Sequence, residues 1–178
     1  PFQGLTPEEA ARLRRARAEG RLAPPSKEVL DAYRDWQDAS VQIPPDAQGT
    51  ARIDRLIARE VASDRDSGED LRLLHRAAVQ RAAEAPDSPR IDDALALHAR
   101  LQARDLAMRN DHRDLQQALL RSGRIEQARD FTASLPDAGL SPVPTLDTSR
   151  PLPGGAIGIW TIQADDGTVP TLRLDAID

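Results

Sequence analysis

The three histidines are the side chains of this sequence best suited to acid–base or metal chemistry. They are His75, His98 and His112. None stands three or four residues from another, so no two of them can share a helix face as a helical pair of metal ligands does. We therefore expect each histidine to pack between helices or to lie at the surface, and we predict no metal site.

Two pairs of adjacent aspartates are the next candidates for chemistry. Asp92-Asp93 falls in the first turn of a predicted helix, where carboxylates interact favourably with the helix dipole and need no catalytic role. Asp165-Asp166-Gly167 lacks the spaced oxygen ligands of a calcium loop and is typical of a hairpin turn. A general acid–base pair can assemble from the many other acids, but the sequence does not identify one. The catalytic residues, if there are any, stay unknown.

Motifs for nucleophilic or nucleotide chemistry are absent from the sequence. It contains no cysteine, which excludes disulfides, thiolate metal sites and cysteine nucleophiles. It has neither a Gly-x-Ser-x-Gly turn nor a glycine-rich phosphate loop. We predict no cofactor, and whether the protein is an enzyme is left open.

The net charge and the composition of the chain exclude some kinds of partner. The net charge of −5 argues against nucleic-acid binding, which needs a positive face. The one basic cluster, residues 12–21, is interleaved with glutamates and is typical of a solvated helix face. No apolar run approaches the ~20 residues of a membrane span. Because Lys27 is the only lysine, the arginine bias favours a bacterial source, and the compartment, cytoplasmic or periplasmic, stays open.

Capping signals and apolar periodicity predict seven helices before residue 136. Aromatic residues make up only 3% of the chain, and an alanine- and leucine-rich core suits closely packed helices. Thr6 and Glu9 form a capping box at the start of the first helix. Gly123 is placed to end the sixth helix. The fifth helix is predicted to extend from Ile91 to Met108.

A short motif recurs along the predicted helices. Arginine, isoleucine and an acid follow one another at residues 52–54, 90–92 and 124–126, at spacings of 38 and 34 residues. Each copy is predicted to start a helix that another helix precedes, which is typical of stacked helical hairpins. We therefore predict a mainly α fold of stacked antiparallel hairpins. A helical bundle without repeats is the alternative.

The last copy of the motif lies in a segment that resembles a tetratricopeptide repeat. The segment "DLQQALLRSGRIEQARDF" carries matching residues at Leu115, Ala118, Leu119, Gly123 and Ala128. The resemblance is clearest over residues 112–135 and weak elsewhere. The aromatic residue of the family's first helix is missing, and Phe131 stands one place from its usual position.

The amino-acid composition changes after the predicted helices. Residues 136–155 are rich in proline, which predicts an extended linker between a helical domain, 1–135, and a final segment, 156–178. Alternating apolar residues in that segment predict a β-hairpin. An isolated hairpin is marginally stable in water. We therefore expect residues 156–177, with Trp160, to pair with a β-sheet of a partner, to begin a larger sheet, or to pack on the helical domain.

The resemblance implies a function in protein–protein interaction. In a tetratricopeptide-like stack, the first helices of the hairpins line a groove that binds a partner protein or peptide. The polar residues expected there are Arg72, Arg76, Arg113 and Gln117, and guanidinium groups suit partners that carry carboxylates. The alternative is that the helices are the N-terminal docking or regulatory part of a larger bacterial enzyme.

Overall fold

The chain is mainly α-helical, as predicted. The computed structural model describes residues 5–40, 47–63, 68–84, 90–143, 145–146, 158–163 and 171–176. These residues form seven α-helices: α1 (Pro7–Ala18), α2 (Lys27–Ser40), α3 (Ala47–Val61), α4 (Glu69–Glu84), α5 (Arg90–Ala103), α6 (Arg109–Arg121) and α7 (Ile125–Ala133). The chain divides into two compact units, Pro1–Arg124 and Ile125–Asp178. No helix of the described residues is both long and apolar enough to cross a membrane.

The first helix begins at the predicted capping box. The Glu9 backbone N–H donates to Thr6 Oγ1 at 3.2 Å, and the Thr6 N–H donates to Glu9 Oε2 at 2.8 Å. These two bonds complete the capping box and satisfy donors that the helix itself leaves free. Gly20 ends the helix with a φ of 74°, a left-handed conformation that glycine adopts without steric cost.

The sixth helix ends at the predicted glycine. Gly123 has a φ of 71°, and its N–H donates to the Leu120 carbonyl at 3.1 Å. The next N–H, that of Arg124, donates to the Leu119 carbonyl at 2.9 Å. This pair of bonds is a Schellman motif, which satisfies the last carbonyls of the helix.

The fifth helix is shorter than the sequence predicts. It ends at Ala103 and does not reach Met108. Asp105 takes a φ of 56°, a left-handed conformation that aspartate tolerates better than most residues. Met108 instead stands just before α6, and its N–H donates to Asp111 Oδ2 at 2.9 Å. The break at Asp105 therefore lies three residues before the predicted end of the helix at Met108.

The helices of the first unit pack as a repeat-like stack. α2 packs on α3, and α4 packs on α5. α4 also contacts α2 on one side and α6 on the other, while α3 contacts α5. The first helices of successive hairpins, α2, α4 and α6, therefore contact one another in turn, and so do the second helices, α3 and α5. This arrangement is compatible with the predicted stack of helical hairpins.

The recurring motif forms ion pairs between successive copies. Arg90 Nε lies 3.6 Å from Asp54 Oδ1, and Arg124 Nη1 lies 2.5 Å from Asp92 Oδ1. In both cases the arginine of one copy pairs with the acid of the copy before it. The first copy differs from expectation, because Arg52 lies inside α3, which begins at Ala47.

A second ion pair joins α5 to α3. Arg100 Nη1 donates to the Glu60 backbone carbonyl at 2.5 Å, and Nη2 donates to Glu60 Oε1 at 2.8 Å. The two side chains are only 22% and 11% exposed. Arg90, at the start of α5, pairs with Asp54 in the middle of α3, and Arg100, near the end of α5, pairs with Glu60 near the end of α3. The two helices therefore run parallel.

Apolar side chains at helical spacing form the core of the first unit. One face of α2 is buried, with Val29, Tyr33 and Trp36 between 1% and 8% exposed. The helix α4 buries residues on several faces, most of them leucine or alanine: Leu71, Leu74, Ala77, Ala78, Val79 and Ala82. Small side chains let neighbouring helices approach closely, which suits the alanine-rich composition.

The second unit contains α7, a short 3-10 helix (Pro136–Ala138) and three strands. The strands β2 (Gly158–Gln163) and β3 (Thr171–Ala176) are antiparallel, with Trp160 in register with Leu174. β1 (Thr145–Leu146) runs parallel to β3. The turn predicted at residues 165–167 lies outside the described residues. The hairpin over 156–178 and the boundaries at 135 and 155 therefore stay predictions.

The α3–α5 contact generates a first prediction. Arg100→Met keeps the aliphatic stem but removes both hydrogen bonds of the guanidinium group to Glu60. We expect it to lower the free energy of unfolding by about 2 kcal/mol, less than the roughly 3–5 kcal/mol of a fully buried pair. Urea unfolding measures the change.

The matched control is Arg124→Met, which breaks the Arg124–Asp92 pair, whose side chains are 32% and 60% exposed. We expect it to cost less than about 1 kcal/mol, because exposed pairs are screened by water and salt. Equal losses in the two variants would contradict the assignment of Arg100 as the stronger contact.

Candidate functional site

A groove between α4 and α6 is the candidate site. Its volume is about 380 Å³. Buried Val79, Ala118, His75 and Asp111 line it, and six exposed polar side chains surround them: Arg76, Gln80, Arg113, Asp114, Gln117 and Arg121. Residues four apart share one face of a helix. The spacing of 76 and 80 on α4, and of 113, 117 and 121 on α6, therefore brings these side chains to the same groove.

The structure brings together three of the side chains predicted to bind a partner. Arg76, Arg113 and Gln117 all line the α4–α6 groove. Trp160 lies on β2 in the second unit, and its side chain is outside the described residues. The contact predicted through Trp160 and residues 156–177 therefore rests on the sequence alone.

Arg72 has a different environment from the other three. Its Nη1 donates to the Leu106 backbone carbonyl at 2.9 Å, and its Nη2 lies 3.5 Å from Asp111 Oδ2. Burial lowers the pKa of the guanidinium below its usual range, although the Asp111 carboxylate opposes that shift. Arg72 thus holds the connection between α5 and α6 against α4, and it lines an adjoining cavity instead of the α4–α6 groove.

Two arginines of the groove have no partner among the residues that the structure describes. Within the described part of the chain, Arg76 and Arg121 make neither a hydrogen bond nor an ion pair, and both are exposed. Arg113 lies 3.7 Å from Asp114, and this exposed pair is weak. The groove therefore presents guanidinium groups that a ligand can engage without first breaking a buried contact.

A chain of three histidines runs through the first unit beside this groove. His75 Nε2 on α4 lies 3.2 Å from His98 Nδ1 on α5, and His98 Nε2 lies 3.0 Å from His112 Nδ1 on α6. His75 and His98 are each 1% exposed. The expectation of a packing role is thus met for these two, but the hydrogen-bonded chain was not foreseen.

A sequence signal for the histidine chain does exist. His75 follows Leu74 on the apolar face of α4, and His98 follows Leu97 on that of α5. His112 stands three residues before the buried Leu115 on α6. Three polar rings on the inward faces of three consecutive helices must find partners there, because a buried polar group without a hydrogen bond is costly.

Burial keeps the histidine chain uncharged. It lowers the pKa of His75 to about 3, and the cations of Arg72 and Arg76 add to the shift. Burial likewise lowers the pKa of His98 to about 3, with the neighbouring histidines adding to it. All three rings are therefore neutral near pH 7, since burial also lowers the pKa of His112.

The histidine chain does not form a metal site in the described structure. His98 uses opposite ring nitrogens toward its two neighbours, so the three rings do not direct nitrogens at one point, as a tetrahedral ion requires. Among the residues that the structure describes, no cluster of three or more histidine or acidic side chains is placed to hold a metal ion.

Comparison with known proteins identifies no relative of this chain. No family model, no curated protein and no solved structure matches it. The resemblance to tetratricopeptide repeats therefore rests on the residues of the sequence and on the repeat-like packing.

The buried histidines generate a prediction on pH. Because the pKa of His75 and of His98 falls from 6.5 in the unfolded chain to about 3 in the folded one, the unfolded chain takes up protons first in acid. The contribution of these two histidines to the free energy of unfolding is thus fully present above pH 6.5 and is lost progressively as the pH falls below 6.5. Each proton contributes about 1.4 kcal/mol per pH unit, so His75 and His98 together contribute up to about 2.7 kcal/mol per unit to the slope.

Urea unfolding between about pH 7.5 and pH 5 measures this slope, in a range where most carboxylates stay ionised. His75→Gln is the matched variant, because its amide can still donate toward His98 Nδ1 but does not titrate. We expect its slope to be about half that of the wild type. If the free energy of unfolding did not change over this pH range, the lowered pKa of His75 and of His98 would be contradicted.

Proposed function

We propose that the protein is an interaction module that binds an acidic peptide segment of a partner protein in the α4–α6 groove. The observation that carries the proposal is the pair of unpartnered guanidinium groups, Arg76 and Arg121, at a groove lined by Val79 and Ala118. A chain of net charge −5 would be expected to pair its cations internally. Free arginines gathered at one groove favour a partner with carboxylates.

The chemistry of the groove defines the ligand. A planar guanidinium group binds a carboxylate through two parallel N–H···O bonds, which fixes the orientation of the carboxylate. Gln80 and Gln117 offer amide groups that can bond to a peptide backbone. Val79 and Ala118 offer apolar surface to the small or medium apolar side chains that stand between the acids of the peptide.

The order of the helices supports the same proposal. α4 and α6 are the first helices of two successive predicted hairpins, and they pack side by side. In the tetratricopeptide-like interpretation these helices line the ligand groove. The predicted binding residues Arg76, Arg113 and Gln117 lie on them, and Arg72 supports the groove from its buried position.

A labelled peptide tests the proposal directly. We expect a peptide of alternating glutamate and leucine to bind the purified chain, as measured by fluorescence anisotropy, and its glutamine counterpart to bind at least about tenfold more weakly. Arg76→Glu with Arg121→Glu should weaken binding of the glutamate peptide at least about tenfold. Added salt should weaken it as well, because the contacts are near the surface.

The control is Arg15→Glu with Arg34→Glu, a variant with the same change in net charge. Both residues are exposed and lie outside the groove. We expect this variant to bind within about twofold of the wild type at moderate salt, since distant charges are screened. Equal losses in the two double variants would show attraction by net charge alone and would refute the groove as the site.

A further inference from the structure

The histidine chain donates its hydrogen bonds in one direction only. A neutral imidazole carries one N–H donor and one acceptor nitrogen. His75 Nδ1 is buried and has no hydrogen-bond partner among the described residues. An N–H at that position would be left without an acceptor, whereas a lone pair is less costly to leave unpaired. The proton of His75 therefore lies on Nε2, and His75 donates to His98 Nδ1.

The direction of hydrogen-bond donation at His75 fixes the direction at the other two histidines. Because His98 Nδ1 accepts from His75, the proton of His98 lies on Nε2, which donates to His112 Nδ1. His112 Nδ1 accepts in turn, so its proton also lies on Nε2. Three rings on three helices share one tautomer, and the buried Nδ1 of His75 fixes it for all of them.

We propose that the histidine chain is a pH-sensitive switch in which uptake of one proton at His112 reverses the direction of hydrogen bonding through His98 and His75. With both of its nitrogens protonated, His112 can only donate to His98 Nε2. His98 must then carry its proton on Nδ1 and donate to His75 Nε2, and His75 must carry its own on Nδ1. In His98 and in His75 the proton on Nε2 is lost to water and another is taken up from water on Nδ1, so the single net proton is the one added at His112 Nδ1. The N–H left without an acceptor is that of His75.

The surroundings favour His112 as the point of entry. It is the partly exposed member of the chain, while His75 and His98 are buried. The charged groups that face His112 are Asp111 on its own helix and Glu9 and Arg12 on α1. The two carboxylates favour a charge at His112, and Arg12 opposes it.

The charges near the other two rings keep the added proton from moving inward. His75 faces Arg72 and Arg76 of its own helix, and both disfavour a charge there. His98 on α5 faces the two histidines and the Asp111 carboxylate. The charge therefore stays at His112, while the other two rings change tautomer without changing charge.

The consequence falls on the contact between α4 and α6. His75 lines the groove between these helices, so an unsatisfied N–H at His75 weakens the packing there. With the histidine chain in its acid form, α4, α5 and α6 pack less tightly against one another than with it in its neutral form. This device requires no peptide ligand and does not depend on the proposed function.

Long-range ¹H–¹⁵N correlation spectra of the ¹⁵N-labelled chain test the proposal, because the nitrogen shifts distinguish a protonated from a bare ring nitrogen. At about pH 7.5 we expect all three rings to carry the proton on Nε2. As the pH falls, signals of His98 and His75 should move to the other tautomer with the same midpoint as the protonation of His112. A proton on Nδ1 of any ring at neutral pH would overturn the proposal without the need for a variant.

His112→Asn is the matched variant. The asparagine oxygen can accept from His98 Nε2–H in place of His112 Nδ1, but the amide does not take up a proton. We expect the neutral tautomers of His98 and His75 to persist in this variant at the pH at which they switch in the wild type. A tautomer change at the same midpoint in His112→Asn would contradict proton entry at His112.

Discussion

The burial of α4 on several sides is the constraint on which the rest of the first unit depends. This helix contacts α2, α3, α5 and α6, and its buried residues are mostly leucine and alanine. A helix surrounded in this way can carry few polar side chains inward, because each needs a partner in the core. His75 is its buried polar side chain, and the partner comes from α5. The histidine chain follows from the central position of α4.

Arginine and acidic residues stabilise the same stack from outside the core. Arg90 and Arg124 each pair with an acid of the preceding motif, and Arg100 binds Glu60 between two parallel helices. Each exposed pair contributes little by itself. Their regular placement nevertheless sets the register of one hairpin on the next, and it distinguishes these arginines from Arg76 and Arg121, which the described structure leaves unpaired.

The sequence predicts most helix boundaries because their signals are local. A capping box at Thr6 and a glycine at 123 act within one turn of the chain, and both were found in place. The end of α5 was missed because Asp105 adopts a left-handed conformation with no glycine to mark it. The groove was predicted in part, since Arg76, Arg113 and Gln117 follow helical spacing. The histidine chain was not, because residues 14 and 23 positions apart meet only through the packing of three helices.

Native-state hydrogen exchange tests the central claim, that the first unit is organised around α4. The account predicts that the amides of α4 and α5 exchange only through global unfolding and are the slowest of the unit, whereas those of α1, which buries only Leu13 and Ala16, exchange through smaller openings. If the amides of α4 exchanged as fast as those of α1, the core would lie elsewhere. The assignment of the groove and of the histidine chain to a rigid α4 would then be wrong.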